Sequence, residues 1–158
     1  MTTLTPCLWF DTEAQDAANF YLTVFPNSRI TDTTYYGEAG PRPADMVLTM
    51  EFELDGHPFT ALNGGPEFSF SEAVSFQIDC ADQAEVDRYW DALTADGGQE
   101  SMCGWLKDKY GLSWQVVPRR LVGLLADPDP GRAQRVMAAM MSMRKLVIAD
   151  LEAAADVP

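Results

Sequence analysis

Apolar and polar residues alternate with period two over residues 5–10 (TPCLWF), after which the apolar interval lengthens to three and four at Ala14, Ala17, Ala18, Tyr21 and Phe25. Period two places successive side chains on opposite faces of a strand, whereas the longer interval gathers them on one face of a helix. The pattern therefore predicts a strand followed by a helix. Thr12 and Gln15 have the spacing of a capping box, in which each side chain satisfies a free backbone amide at the helix start, and Pro26-Asn27 predicts the helix end. Three stretches rich in β-branched and aromatic residues follow: SRITDTTYY, DMVLTMEFEL and HPFTALN. Asp55-Gly56 is the hairpin turn between the last two. This half reads βαβββ.

The same order then recurs. AVSFQIDC alternates as a strand, Asp82 and Glu85 repeat the capping spacing, and Val86, Tyr89, Trp90 and Leu93 fall on one helical face before Gly97-Gly98. ESMCGWLKD and LSWQVVP supply short strands around Tyr110-Gly111. Thr5, Cys7 and Thr12 map onto Ser75, Gln77 and Asp82 with a shift of 70 residues, and Ala17, Phe20, Tyr21 and Val24 map onto Val86, Tyr89, Trp90 and Leu93 with a shift of 69. A period this long suits a two-module fold with a pseudo-twofold axis rather than a solenoid.

Beyond the repeat, DPDPGRAQ is a connector and an Ala- and Met-rich helix is predicted up to about Met143. The apolar stripe Val136, Met137, Met140, Met141 and Met143 is expected to serve core or dimer packing, because helical apolar stripes usually do. Its other reading is an adaptable partner-binding surface. The expected layout is one α+β domain over residues 1–158, with module one at 1–66, module two at 70–120 and a helical extension at 128–158.

Charge narrows the classes of partner. With 24 acidic against 11 basic side chains the net charge is −13, which repels phosphate backbones and anionic headgroups. No nucleic-acid or membrane partner is expected. No run approaches the ~20 apolar residues of a membrane span, and the first residues do not read as a secretory signal, so a cytoplasmic protein is expected. Cys7, Cys80 and Cys103 are odd in number and widely spaced, which predicts reduced thiols rather than a disulfide framework or metal knuckle.

Four stretches carry a family resemblance: WFDTEAQDAANFYLTVFPNS, LNGGPEFSFSEAVSFQIDCADQAEVDRYWDAL, CGWLKDKYGLSWQVVP and RVMAAMMSMRKLVIADLEAA. Over nearly the whole chain the sequence resembles the PhnB-like branch of the vicinal-oxygen-chelate (glyoxalase/bleomycin-resistance) superfamily, often labelled demethylubiquinone methyltransferase-like. The resemblance implies two βαβββ modules whose curved sheets form a half-barrel cup, commonly completed by a second subunit in a homodimer. It also implies that metal-using members draw their ligands from the first and fourth strands of each module. Those positions here are Thr5, Ser75, Thr60 and Gln115. Neutral hydroxyls and an amide hold a divalent transition metal poorly, so no metal is expected. His57, the single histidine, reads as a turn residue beside Asp55-Gly56. The methyltransferase label implies S-adenosylmethionine, but Asn63-Gly64-Gly65-Pro66 leads into EFSFSEAV rather than a helix. It reads as a loop turn, and no cofactor is expected.

Strand alternation sets Ser75, Gln77 and Asp79 opposite Phe76, Ile78 and Cys80, and sets Ser113, Gln115 and Val117 opposite Trp114 and Val116. Joined by Thr5, Cys7, Trp9 and Thr60 from module one, the polar sides are expected to line a small-molecule pocket. Cys103 as a nucleophile and Asp79 as a general base are the candidate catalytic groups, neither with a sequence-visible dyad. Lys107, Asp108 and Lys109 read as solvated turn charges. The leading expectation is a metal-independent, homodimeric small-molecule pocket protein, either a sequestering binder of the antibiotic-resistance kind or an enzyme of unidentified reaction. The alternatives are a metal-dependent lyase, isomerase or dioxygenase, and a noncatalytic dimeric interaction domain.

Overall fold

A computed structural model describes residues 1–157, in the element order β1 (Cys7–Phe10), α1 (Ala14–Val24), β2 (Arg29–Tyr35), β3 (Val47–Leu54), β4 (His57–Asn63), β5 (Ser75–Cys80), α2 (Gln83–Thr94), β6 (Gln99–Glu100), β7 (Trp105–Lys107), β8 (Ser113–Pro118), α3 (Arg119–Leu125), α4 (Pro130–Ser142) and α5 (Ile148–Asp156). The chain divides into two compact units, the first ending at Phe70 and the second beginning at Ser71. Each holds one open four-stranded sheet, ordered β1-β4-β3-β2 in the first and β5-β8-β7-β6 in the second. The shared order confirms the internal repeat. In both units the first strand lies at the sheet edge and pairs in parallel with the fourth, with Cys7 opposite Thr60 and Gln77 opposite Gln115.

Each helix covers one face of its own sheet. Ala14, Ala17, Ala18, Tyr21 and Val24 are buried on α1, which packs on β3 and β4, and Tyr21 stacks over Phe52. On α2 the buried residues are Val86, Tyr89, Trp90 and Leu93, the predicted face. The α2 cap also forms as predicted: Asp82 Oδ1 accepts from the Glu85 amide at 2.9 Å, and Glu85 Oε2 accepts from the Ala81 amide at 2.8 Å.

The predicted cap of α1 does not form. The helix starts at Ala14, and neither Thr12 nor Gln15 caps it; Thr12 donates its amide to Glu13 Oε2. Asn63, at the far end of β4, takes the role instead, with Oδ1 accepting from the Ala14 amide at 2.8 Å and Nδ2 donating to the Val47 carbonyl at 2.9 Å. Strand β1 begins at Cys7, two residues later than the alternation suggests, because the chain pairs with β4 only from there.

The extension is also richer than predicted. Three helices gather Leu121, Leu124, Val136, Leu146, Leu151 and Ala155 into a buried cluster of their own. Within the predicted stripe Val136 is buried and Met140 and Met143 pack against this cluster, while Met137 and Met141 remain exposed. The segment joining α4 to α5 is tied back to module two. Leu146 O and the Ile148 amide are both held by the Gln83 side chain, at 3.1 and 2.8 Å, and Lys145 pairs with Asp87 at 2.8 Å. Gly104 lies so close to this segment that a Cβ there would meet Val116 O at 2.8 Å and Leu146 Cδ1 at 3.0 Å, and its φ of +83° suits only glycine.

Candidate functional site

In the second unit, strand register builds two rows of side chains on the face turned away from α2. One row runs Gln99, Lys107, Ser113, Ser75 across β6, β7, β8 and β5; the other runs Trp105, Gln115, Gln77. The alternation expected from sequence holds, since Ile78, Cys80, Trp114 and Val116 are buried on the opposite face. Gln77 Nε2 donates to Gln115 Oε1 at 3.3 Å, and Gln115 Nε2 donates to Ser75 Oγ at 2.8 Å. Three of the predicted pocket residues therefore form one hydrogen-bonded ladder of neutral groups.

Beside the ladder lies a pocket of about 140 Å³ whose lining includes Glu72, Gln99, Glu100, Trp105, Lys107 and Ser113. Ser113 is only 1% exposed, and its Oγ is buried with no hydrogen-bond partner among the described residues. Buried hydroxyls are seldom left unpaired, so this one stands out among the described residues. At the rim, Lys107 Nζ lies 2.6 Å from Glu72 Oε1, and its hydrogen bond holds the Glu72 carboxyl below the usual range.

The turn joining β7 to β8 overturns the reading of its charges as solvated. Asp108 is 2% exposed; its Oδ1 accepts from the Tyr110 and Leu112 amides at 2.8 and 3.1 Å, and its Oδ2 accepts from Trp114 Nε1 at 2.9 Å. With Gly111 at φ +86° closing the turn, this carboxylate fixes the register that sets Lys107 beside Ser113. Lys107 is ion-paired rather than free in solvent.

In the first unit, Cys7 and Thr60 are neighbours across the parallel β1–β4 pair, and Trp9 lies beside Leu62. Thr5 precedes β1 and is exposed. Cys7 is exposed, and partial desolvation on the sheet pushes its thiol up, which favours the neutral thiol over the thiolate. Trp9 anchors the loop after β4: its Nε1 donates to Gly65 O at 2.9 Å, and Phe68 packs edge-on at 5.0 Å. A Cβ on Gly64 would fall 2.4 Å from the Trp9 ring, and the Gly64 amide donates to Phe10 O at 2.9 Å. The glycines of this turn receive an indole, and the amide that could cradle a phosphate is already bonded.

The remaining candidates are scattered. Asp79 is open to solvent and its Oδ2 accepts from Arg119 Nε at 2.6 Å. Cys103, in the left-handed conformation at φ +60°, has its Sγ 3.7 Å from Met141 Sδ, a thioether that is no base. His57 is exposed at the first position of β4, beside the Asp55-Gly56 turn. Among the described residues no three His, Cys, Asp or Glu side chains converge as a metal cage. At the expected ligand position Gln115 both side-chain ends are already hydrogen-bonded, so the donor set does not fit a divalent transition ion. No helix among the described residues is long and apolar enough to cross a membrane.

Comparison with known proteins agrees with this architecture. The family described as 3-demethylubiquinone-9 3-methyltransferase matches residues 2–117, so the closing stretch of the resemblance, which holds α4 and α5, lies outside the match. A PhnB protein from Bacillus cereus, also described as a 3-demethylubiquinone-9 3-methyltransferase, is 31% identical and superposes with a TM-score of 0.68, covering 74% of this chain and 99% of its own. Protein PA1353 from Pseudomonas aeruginosa is 19% identical with a TM-score of 0.62, covering 75% and 98%. The fosfomycin resistance protein FosX from Listeria monocytogenes shares the fold at 12% identity and a TM-score of 0.51, covering 75% and 93%. No curated protein matches. The Asn63–Pro66 turn does not fit the cofactor cradle that a methyl transfer would need, because Trp9 packs against Gly64 there. Sequence match, repeated βαβββ topology and the 31% identical neighbour together place the chain in the PhnB-like 3-demethylubiquinone-9 3-methyltransferase family.

Proposed function

We propose that this protein binds a small organic molecule on the sheet faces turned away from α1 and α2, as a sequestering binder or an enzyme, without a transition metal. The observation that carries the reading is the ladder Gln77–Gln115–Ser75 running beside a pocket that Ser113 lines. Amides and hydroxyls orient a partly apolar ligand by hydrogen bonds and do not grip cations. On this reading Thr5, Cys7, Trp9 and Thr60 serve the corresponding sheet of module one, and the working form is a homodimer. Cys103 and Asp79 are not assigned catalytic roles, since neither contacts a group that would activate it.

Two measurements test it. A fragment library screened by thermal shift and crystal soaking is expected to place hits against Ser75, Gln77, Ser113 or Gln115; a library with no hit on either sheet face overturns the reading. Metal analysis of protein purified without chelator is expected to find substoichiometric Zn, Ni, Fe and Mn. One tightly held ion per chain would favour a metal-dependent lyase, isomerase or dioxygenase instead.

A further inference from the structure

Strand β4 ends on an asparagine followed by a glycine, and the fold of the first unit fixes both residues. Asn63 accepts from the Ala14 amide and donates to the Val47 carbonyl, a double role that needs an amide, since a carboxylate has no hydrogen to give. Gly64 stands against the Trp9 ring, where a Cβ would have no room. The same pair is prone to close on itself. A backbone nitrogen whose own residue carries no side chain attacks the preceding carboxamide carbon readily, because nothing crowds its approach, and asparagine is a thermolabile residue for this reason. Gly64 N loses its proton and bonds to Asn63 Cγ, the Cγ–Nδ2 bond breaks, and ammonia leaves with that proton. Water then opens the cyclic imide at either carbonyl. The product is aspartate, or isoaspartate linked through the side-chain carboxyl.

The folded first unit holds every reacting group away from this path. Asn63 is 1% exposed, and with Oδ1 bonded to Ala14 at 2.8 Å and Nδ2 to Val47 at 2.9 Å its carboxamide is not free to turn towards the next nitrogen. The attacking nitrogen is engaged too, since the Gly64 amide donates to Phe10 O at 2.9 Å. Tyr36 Oη donates to Asn63 O and so fixes the peptide between the two residues. Ring closure therefore requires α1 and β1 to release the end of β4. The way back is closed. Aspartate at this position sets a carboxylate against the Val47 carbonyl in a buried site, and isoaspartate adds a carbon to the main chain where Asn63 pairs with Phe10.

We propose that Asn63-Gly64 is a deamidation site gated by the α1–β4 junction, shut while the first unit is folded and converted irreversibly once that junction opens.

The chain carries its own reference. Of its three asparagines, Asn27 is exposed and followed by Ser28, and Asn19 is followed by the bulky Phe20. Full-length protein is held in mildly alkaline buffer with and without denaturing guanidinium chloride, and its peptides are scored by mass and elution for aspartate and isoaspartate. The unfolded chain is expected to convert Asn63 ahead of Asn27. In the folded chain Asn63 is expected to convert on the order of a hundredfold more slowly than when unfolded, three hydrogen bonds contributing about fivefold each. Below the unfolding transition, its conversion is expected to rise with denaturant in step with hydrogen exchange at the Ala14 and Gly64 amides. Asn63→Asp, the product made directly, is expected to unfold at lower denaturant concentration than the parent. Asn63 converting equally fast folded and unfolded, Asn27 leading in the unfolded chain, conversion that stays flat while those two amides exchange, or an Asn63→Asp chain as stable as the parent overturns the proposal.

Discussion

Asn63 Oδ1 accepts the Ala14 amide hydrogen at 2.8 Å, joining the last residue of β4 to the first turn of α1. The same side chain donates to Val47 O, and Asn63 is 1% exposed. Asn63→Ala leaves two buried backbone groups unpaired, each costing about 1–3 kcal/mol, so a loss of about 2–4 kcal/mol in urea unfolding is expected. Thr12→Ala, at the position whose capping does not form, is expected to change stability by less than about 0.5 kcal/mol, in the range of plain surface substitutions.

Asp108 receives three donors: two amides of its own turn and the Trp114 indole. Asp108→Ala strands them in a buried site and is expected to cost about 3 kcal/mol or more, because hydrogen bonds to a carboxylate are worth more than neutral ones. Trp fluorescence during unfolding reads the loss. The variant should also disturb the Ser113 amide in NMR spectra, since the turn sets the β7–β8 register.

Cys80 is fully buried, and burial lifts its thiol from 9.0 to about 12. The unfolded chain therefore releases this proton first. The associated stability is whole below about pH 9 and is lost as pH rises towards 12, at up to about 1.4 kcal/mol per pH unit. Unfolding measured between pH 9 and 10.5 is expected to fall less steeply in Cys80→Ala than in the parent chain. Equal slopes would show that Cys80 does not carry the effect.

Gln83 grips both Leu146 O and the Ile148 amide. Gln83→Ala frees both and is expected to cost about 1–2 kcal/mol. Limited proteolysis should then cut first between α4 and α5, around residues 143–147. Unchanged protection there would mean that the Lys145–Asp87 pair and the packing of Leu146 on Gly104 suffice.

What the sequence disclosed and what it withheld divide along the range of the interactions. The strands, the buried face of α2 and the Asp82–Glu85 cap were all legible, because each depends on residues within a few positions, and the repeat followed from the recurrence of those local patterns. The turn role of Asp108 was also within reach: Asp followed three residues later by Gly111 is a turn signature, but its charged neighbours Lys107 and Lys109 suggested solvent. Asn63 was not legible as a cap, since its partner lies 49 residues away. The unpaired Ser113 hydroxyl was hidden for the same reason, as satisfaction depends on neighbours from the two flanking strands. Helices α3 and α5 are short and escaped the periodicity reading; packing on each other and on α4 holds them.

The different caps on the two module helices give the halves different folding kinetics. Asp82 and Glu85 are contiguous with α2, so that helix start can assemble on the timescale of a single turn. The start of α1 waits until Asn63 returns along β4, a closure across 49 residues whose entropic cost precedes its reward. Although built on one plan, the amino-terminal half should acquire its helix later than the carboxyl-terminal half, and on a ribosome not before β4 has emerged.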